Sequence, residues 1–298
     1  MRFFFPFPNA CFLGKEVPML SRSPRFLTVL LTIIASLGIP GQAQAAWVED
    51  GTPVCTEAYS QNGASACSDG AGGAIIAWID RRDGLAWGTH DVYAQRVYPD
   101  GTLAWAPAGV AVCDVPEEQS SVRVVSDGYG GAIIIWADLR DAGVTKIYAQ
   151  RLAPDGSRLW NLADDGVLVS TMDTQSAEMT SDGHGGAIVT WGRDAGGQNM
   201  NLYAQRLDPS GTLLWDSDGV EVCNDPSHQS VPRIAPDGLG GAYIAWNDYR
   251  YSDIVIRGYA NHVNASGTVT WGSGGLRVSE TSASMGDLDI AADGLGGI

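Results

Sequence analysis

Between Ser126 and Trp136 the chain reads Ser-Asp-Gly-Tyr-Gly-Gly-Ala-Ile-Ile-Ile-Trp, a polar glycine-rich turn followed by an unbroken apolar run. Asp127-Gly128 with Gly130-Gly131 is a hairpin signal. Ala132 to Trp136 has no polar position, which predicts a short strand covered on both faces. Upstream, Ser121-Val-Arg-Val-Val125 alternates apolar and polar and predicts a first strand. Downstream, Asp138 to Gly143 is a loop and Lys146-Ile-Tyr-Ala-Gln-Arg-Leu152 a third strand, closed by the turn Pro154-Asp-Gly156. Arg158-Leu-Trp160 opens a fourth strand that passes a bulge at Gly166 into Val167-Leu-Val169.

This unit recurs. The turn and apolar run appear at Ser68–Trp78, Ser181–Trp191 and Pro236–Trp246, and a further copy begins at Ala292. Tyr93, Tyr148, Tyr203 and Tyr259 each stand twelve residues before Trp105, Trp160, Trp215 and Trp271. Only the stretch from the second-strand Trp to the Tyr varies: 15 residues from Trp78 to Tyr93, 12 in the next two copies, 13 from Trp246 to Tyr259. All length variation therefore falls in the loop between second and third strands. In repeat folds such insertions gather on one face, often the binding face.

Four short antiparallel strands in roughly 55 residues is the size of one propeller blade. A sandwich needs about 100 residues per unit, and a solenoid coil needs fewer and would not carry three turns. The predicted fold class is all-β: a β-propeller of four-stranded antiparallel blades, here an incomplete ring. Trp47–Cys55 aligns with Trp105–Cys113, so an isolated fourth strand (46–58) precedes repeats at 59–116, 117–172, 173–226 and 227–282, with a truncated repeat at 283–298. A chain ending in mid-motif is expected to be a fragment of a longer ring.

Composition adds a location. Arg22 and Arg25 precede the apolar run Phe26–Ile39, and Ala43-Gln-Ala45 offers a cleavage point between Ala45 and Ala46, so residues 1–45 read as a secretory signal with Met19 the more natural start. Nothing after it could span a bilayer. Residues 1–45 hold four of the 18 cations and one of the 34 anions, leaving 14 against 33 and a net charge of −19 in residues 46–298. Such a surface excludes nucleic acid as a partner. Cys55, Cys113 and Cys223 occupy equivalent positions in neighbouring repeats and read as small buried residues. Cys67 has no equivalent, and a Cys55–Cys67 disulfide suits an oxidising compartment.

Candidate chemistry is sparse. The repeated Asp-x-Arg after the second strand (Asp80/Arg82, Asp138/Arg140, Asp248/Arg250), with Arg96, Arg151 and Arg206 ending the third strands, could ring a channel mouth and hold a carboxylated or sugar ligand. Their recurrence in the repeat favours structure instead, each Asp tied to an Arg of the adjacent strand, since a unique site would break the repeat. The third copy departs, with Gly192-Arg193-Asp194. Trp87, His90 and Asp91 lie in the longest variable loop, outside the repeat, and are the best candidates for ligand contact. The Asp-Gly turns leave structural calcium open, although EF-hand spacing is absent; no other cofactor is implied.

The unit Gly-Gly-Ala-Ile-x-x-Trp-x-Asp-x-Arg, then Tyr-Ala-Gln-Arg, then Gly-Thr-Leu-x-Trp resembles a repeat of large secreted bacterial proteins, often ending in sorting or FlgD-like domains. The resemblance implies export and a propeller, and it transfers no catalytic residues. The expected function is a secreted or cell-surface, non-catalytic scaffold binding an extracellular ligand, glycan or protein. The alternative is a propeller-type carbohydrate-active enzyme, hydrolase or lyase.

Overall fold

The computed structural model describes residues 51–84, 90–141, 143–163, 165–196, 199–251, 255–279 and 288–298. The signal-like segment with Ala45 and Ala46, and Trp87 in the first variable loop, lie outside these residues. The described chain forms four four-stranded antiparallel sheets, each a meander in chain order. Blade 1 holds β1 (Gln61–Ser68), β2 (Ala74–Asp80), β3 (Asp91–Val97) and β4 (Val110–Cys113). Blade 2 holds β5 (Gln119–Ser126), β6 (Ala132–Asp141), β7 (Val144–Leu152) and β8 (Val167–Leu168). Blade 3 holds β9 (Thr174–Ser181), β10 (Ala187–Gly196), β11 (Asn199–Leu207) and β12 (Val220–Cys223). Blade 4 holds β13 (Gln229–Pro236), β14 (Ala242–Asp248), β15 (Arg257–Val263) and β16 (Leu276–Arg277). The first strands β1, β5, β9 and β13 pack side by side. They are the inner strands of a β-propeller.

The continuous apolar run behaves as its pattern demands. Alternate residues of β6 go to opposite neighbours: Ala132, Ile134 and Trp136 pack with Ile75, Ala77 and Ile79 of blade 1, whereas Ile133 and Ile135 pack with Ala187, Val189 and Trp191 of blade 3. The second-strand tryptophans Trp78, Trp136, Trp191 and Trp246 are all fully buried. Because each face of each sheet is a core, a period-2 strand shows no polar side.

The turn glycines and the Gln of Tyr-Ala-Gln-Arg have separate tasks. Asp127 Oδ1 accepts the amides of Tyr129 at 2.8 Å and Gly131 at 2.9 Å, while its Oδ2 accepts from Arg151 Nε at 3.0 Å. A Cβ on Gly131 would stand 2.1 Å from the Leu152 carbonyl oxygen, so only glycine allows the turn to close on the third strand. Gln150 is fully buried; its Nε2 donates to the Trp160 carbonyl at 2.7 Å and its Oε1 accepts the Trp160 amide at 2.8 Å. It replaces the ladder where the fourth strand is missing. The fourth strand is shorter than expected: after an isolated bridge between Leu152 and Arg158, regular pairing resumes only at Val167–Leu168. In between, Trp160 leaves its own sheet, and its indole N–H donates to the Pro209 carbonyl of blade 3 at 3.0 Å. Trp105 and Trp215 do the same to Pro154 and Ala265, at 3.1 and 3.2 Å. This latch crosses from blades 1, 2 and 3 to the blade that follows each.

Two glycines with similar φ separate strain from packing. Gly183 (φ +75°) faces open space; at Gly219 (φ +80°) a Cβ would lie 2.7 Å from Trp191 Cη2 and 2.8 Å from the Ala204 oxygen. Gly183→Ala is expected to cost about 1–2 kcal/mol, the left-handed penalty alone. Gly219→Ala should cost a further ~1–3 kcal/mol for overpacking. Urea midpoints of the two variants measure the difference, and equal midpoints would contradict the account.

Candidate active site

The second-to-third-strand loops and the fourth-to-first connections emerge at one end of the blades, opposite the Asp-Gly turns. At this end blades 1, 2 and 4 share a brace. The Trp78, Trp136 and Trp246 indole N–H groups donate to Asp80, Asp138 and Asp248 Oδ2 at 2.8, 2.8 and 2.9 Å. Arg82, Arg140 and Arg250 bind those same carboxylates and lie 3.5, 4.0 and 3.8 Å from the ring centroids of Tyr93, Tyr148 and Tyr259. All three aspartates are fully buried. Burial alone would raise the Asp80 carboxyl, but hydrogen bonds from Arg82 and Trp78 outweigh it and hold it below the usual range.

These pairs therefore serve the blade, as their recurrence suggested, and do not form the alternative Arg–Asp ring. Arg96, Arg151 and Arg206 are at the other end of the third strands, where they bind the turn aspartates Asp69, Asp127 and Asp182 at 2.9, 2.9 and 2.8 Å. Strand register separates them: Ile75, not Asp80, faces Arg96. The adjacent-strand tie expected for Asp80 is likewise a pairing within its own loop, to Arg82. The cysteines also differ from one expectation. Cys55 and Cys67 are free thiols, as are buried Cys113 and Cys223. Burial pushes Cys113 up to about 12 and Cys223 up to about 11, so neither is a nucleophile. Among the described residues no three His, Cys, Asp or Glu side chains gather as a metal site.

The repeat breaks at Asp91. In register, Asp138 faces Lys146 and Asp248 faces Arg257, each an acid opposite a cation. In blade 3, Arg193 faces Asn201. In blade 1, Asp80 faces Asp91, acid against acid. Like charges directly opposite destabilise a sheet, and Asp91 is buried as well. Burial first, then the charges of Asp83, Asp114 and Asp80, push the Asp91 carboxyl up to about 7, with only Arg82 opposing. Asp114 belongs to the connection into blade 2, where its hydrogen bond to Asp165, after burial, raises that carboxyl in turn, against Arg158. His90, also buried, touches Glu118 through Nδ1, while burial and Arg81 lower its pKa and keep the ring neutral at pH 7. The rim between blades 1 and 2 thus carries a proton-holding carboxyl beside exposed carboxylates.

Of the sequence candidates, Asp91 and His90 stand in this group, whereas Asp80, Arg82, Asp138, Arg140, Asp248 and Arg250 are brace. Asp83, Asp114 and Asp165 were missed. Asp91 was available to alignment, because it stands two residues before Tyr93 where the other copies have Lys146, Asn201 and Arg257. Asp114 lies in the same repeat, directly after Cys113, and Asp165 in the next; strand pairing brings Asp114 to Asp91 and blade packing brings Asp165 to Asp114.

No protein-family model and no curated protein matches the chain. Solved structures do. A protein of unknown function from Dyadobacter fermentans DSM 18053 matches with TM-score 0.48 and 12% identity, over 74% of this chain and 70% of that one. An α-L-arabinanase from Penicillium chrysogenum, complexed with arabinobiose, matches with TM-score 0.46 and 8% identity, over 78% and 70%. An endo-arabinase from Bacteroides thetaiotaomicron VPI-5482 matches with TM-score 0.41 and 11% identity, over 69% and 77%. At such identities the likeness speaks to the fold alone. The expectation of a non-catalytic scaffold is corrected on the site itself: blade 1 sets two acids face to face where blades 2 and 4 pair an acid with a cation, which leads to the alternative reading.

Asp91 should reveal itself in stability. Its folded value, about 7, lies above the ordinary 3.8. Below 3.8 the group is protonated in both states and contributes no difference. As pH rises towards 7 the unfolded chain binds fewer protons, so stability falls, and it levels off above 7. Asp91→Asn removes this loss: the variant should exceed the parent at pH 8 by on the order of a few kcal/mol, the gap closing towards pH 4. Asp138→Ala, which strips Arg140 and Trp136 of their acceptor, should instead cost ~3–5 kcal/mol. Urea unfolding across pH reads both, and a destabilised Asp91→Asn variant at pH 8 would contradict the assignment.

Proposed function

We propose that the chain is an exported, propeller-type carbohydrate-active enzyme that hydrolyses glycosidic bonds at the rim between blades 1 and 2. The observation that carries this is Asp91: a buried carboxyl opposite another carboxyl, in the one blade where the repeat should have placed a cation or an amide. A group held near 7 can still carry its proton at neutral pH, which is what a glycosidic leaving oxygen requires. Asp91 donates that proton as the bond from anomeric carbon to oxygen breaks. Asp114, more than half exposed, accepts a proton from the water whose oxygen adds to the anomeric carbon. Solvent then restores both groups. Export follows from the basic and apolar N-terminal segment, and the acidic surface suits a neutral glycan better than an anionic one.

The test is reducing-end release from arabinan, xylan and β-1,3-galactan by the parent and by Asp91→Asn. The variant should lose about 10²–10⁴-fold in turnover, the usual worth of general acid catalysis. For the parent, kcat/KM should fall as pH rises through about 7 and Asp91 loses its proton. Release undiminished in the variant, or no release by the parent from any of the three, would overturn the reading.

A further inference from the structure

Blade 3 is the second place where the repeat is broken, and four aligned positions change together. The brace aspartate is replaced by Arg193, and the sequence has Ala195 where the other blades have the brace arginine. The residue in register with the brace aspartate, Asp91, Lys146 or Arg257 elsewhere, is Asn201. The residue paired with the blade tyrosine is Glu221, where the other blades have Ala111, Leu168 and Arg277. In the braced blades an arginine covers the tyrosine ring at 3.5–4.0 Å. In blade 3 the nearest guanidinium, Arg193, stands 5.3 Å from the Tyr203 centroid.

A polar cluster replaces the brace. Tyr203 Oη donates to Glu221 Oε1 at 2.9 Å and Asn201 Nδ2 donates to the same oxygen at 3.1 Å. Burial and then the Glu221 bond raise the tyrosine pKa, so its hydroxyl keeps its proton at neutral pH. Glu221 is exposed, and Arg193, Asn201 and Tyr203 are half-buried. Packing cannot explain these residues, since three sister blades pack around the same tryptophan without them.

We propose that this rim of blade 3 is a glycan-binding subsite, separate from the acid on blade 1, that takes neighbouring sugar hydroxyls between Glu221, Asn201 and Arg193. Glu221 is held in place by two donors and presents carboxylate acceptor capacity outward. The Asn201 amide oxygen and the Arg193 guanidinium add an acceptor and donors beside it, the mixture that vicinal hydroxyls require. The choice of a glycan rests on the proposed function, while the existence of the subsite does not need turnover.

The experiment is affinity electrophoresis of the full chain in gels containing arabinan, xylan or β-1,3-galactan, for the parent, Glu221→Gln and Asn201→Ala. Glu221→Gln keeps an acceptor for Tyr203 and Asn201, so its unfolding midpoint should match the parent. At least one polysaccharide should retard the parent. The apparent dissociation constant should rise about tenfold in Glu221→Gln, as for a lost charge-assisted hydrogen bond, and comparably in Asn201→Ala. Retardation unchanged in both blade 3 variants overturns the subsite, as does a parent that no polysaccharide retards. Reducing-end release by that same parent would show the hydrolase reading standing without it.

Discussion

Every blade has to bury both faces of its second strand, and the rest of the molecule is arranged around that requirement. A tryptophan closes the strand, and a buried indole needs an acceptor for its N–H. Asp80, Asp138 and Asp248 provide one, and each buried carboxylate is in turn neutralised by an arginine laid over a tyrosine. Buried charge persists only when paired and hydrogen-bonded. The Asp-x-Arg repeat is therefore a consequence of the tryptophan, and its recurrence reflects packing.

The opposite end solves a different problem. There the sheet edges are short, and blade-to-blade cohesion comes from an indole N–H donating to a turn carbonyl of the next blade. Turn aspartates, third-strand arginines and close-packed glycines keep that carbonyl in place. With both ends tied by repeated interactions, departures from the repeat become informative. A blade that gives up its brace, or sets two acids face to face, loses stability that its sisters retain, and such losses concentrate where a protein does chemistry or binds. Blade 1 does so at Asp91 and blade 3 at Arg193, Asn201 and Glu221.

On the proposed reading, these two departures divide the labour between proton transfer and recognition. Asp91 is poised by burial and neighbouring negative charge, the physical route by which a carboxyl becomes an acid at neutral pH. The blade 3 cluster is half-buried around an exposed Glu221 and hydrogen-bonded, suited to holding hydroxyls. Both lie at the end where the variable loops emerge.

Much of this was legible in the chain. Asp-Gly turns, unbroken apolar runs and constant spacings determine the blade, its four-strand order and the end that varies, because hairpin geometry and two-sided burial are local demands that each repeat states again. Strand length was less legible: the fourth strand frays at Trp160 because that side chain is claimed by the next blade, a contact no single repeat encodes. The partners of the aspartates were illegible for a related reason. Asp80 and Arg96 look like neighbours in the motif, yet antiparallel register puts them at opposite ends of one hairpin. Register also decided the site. Asp91 is an ordinary loop-edge residue until pairing sets it against Asp80, and Asp114 is brought beside it by the pairing of Val92 with Cys113 in the same blade, while Asp165 meets Asp114 only when blade 2 folds alongside. Charge proximity across strands and blades is a tertiary quantity, and it alone turned one of many aspartates into a candidate acid.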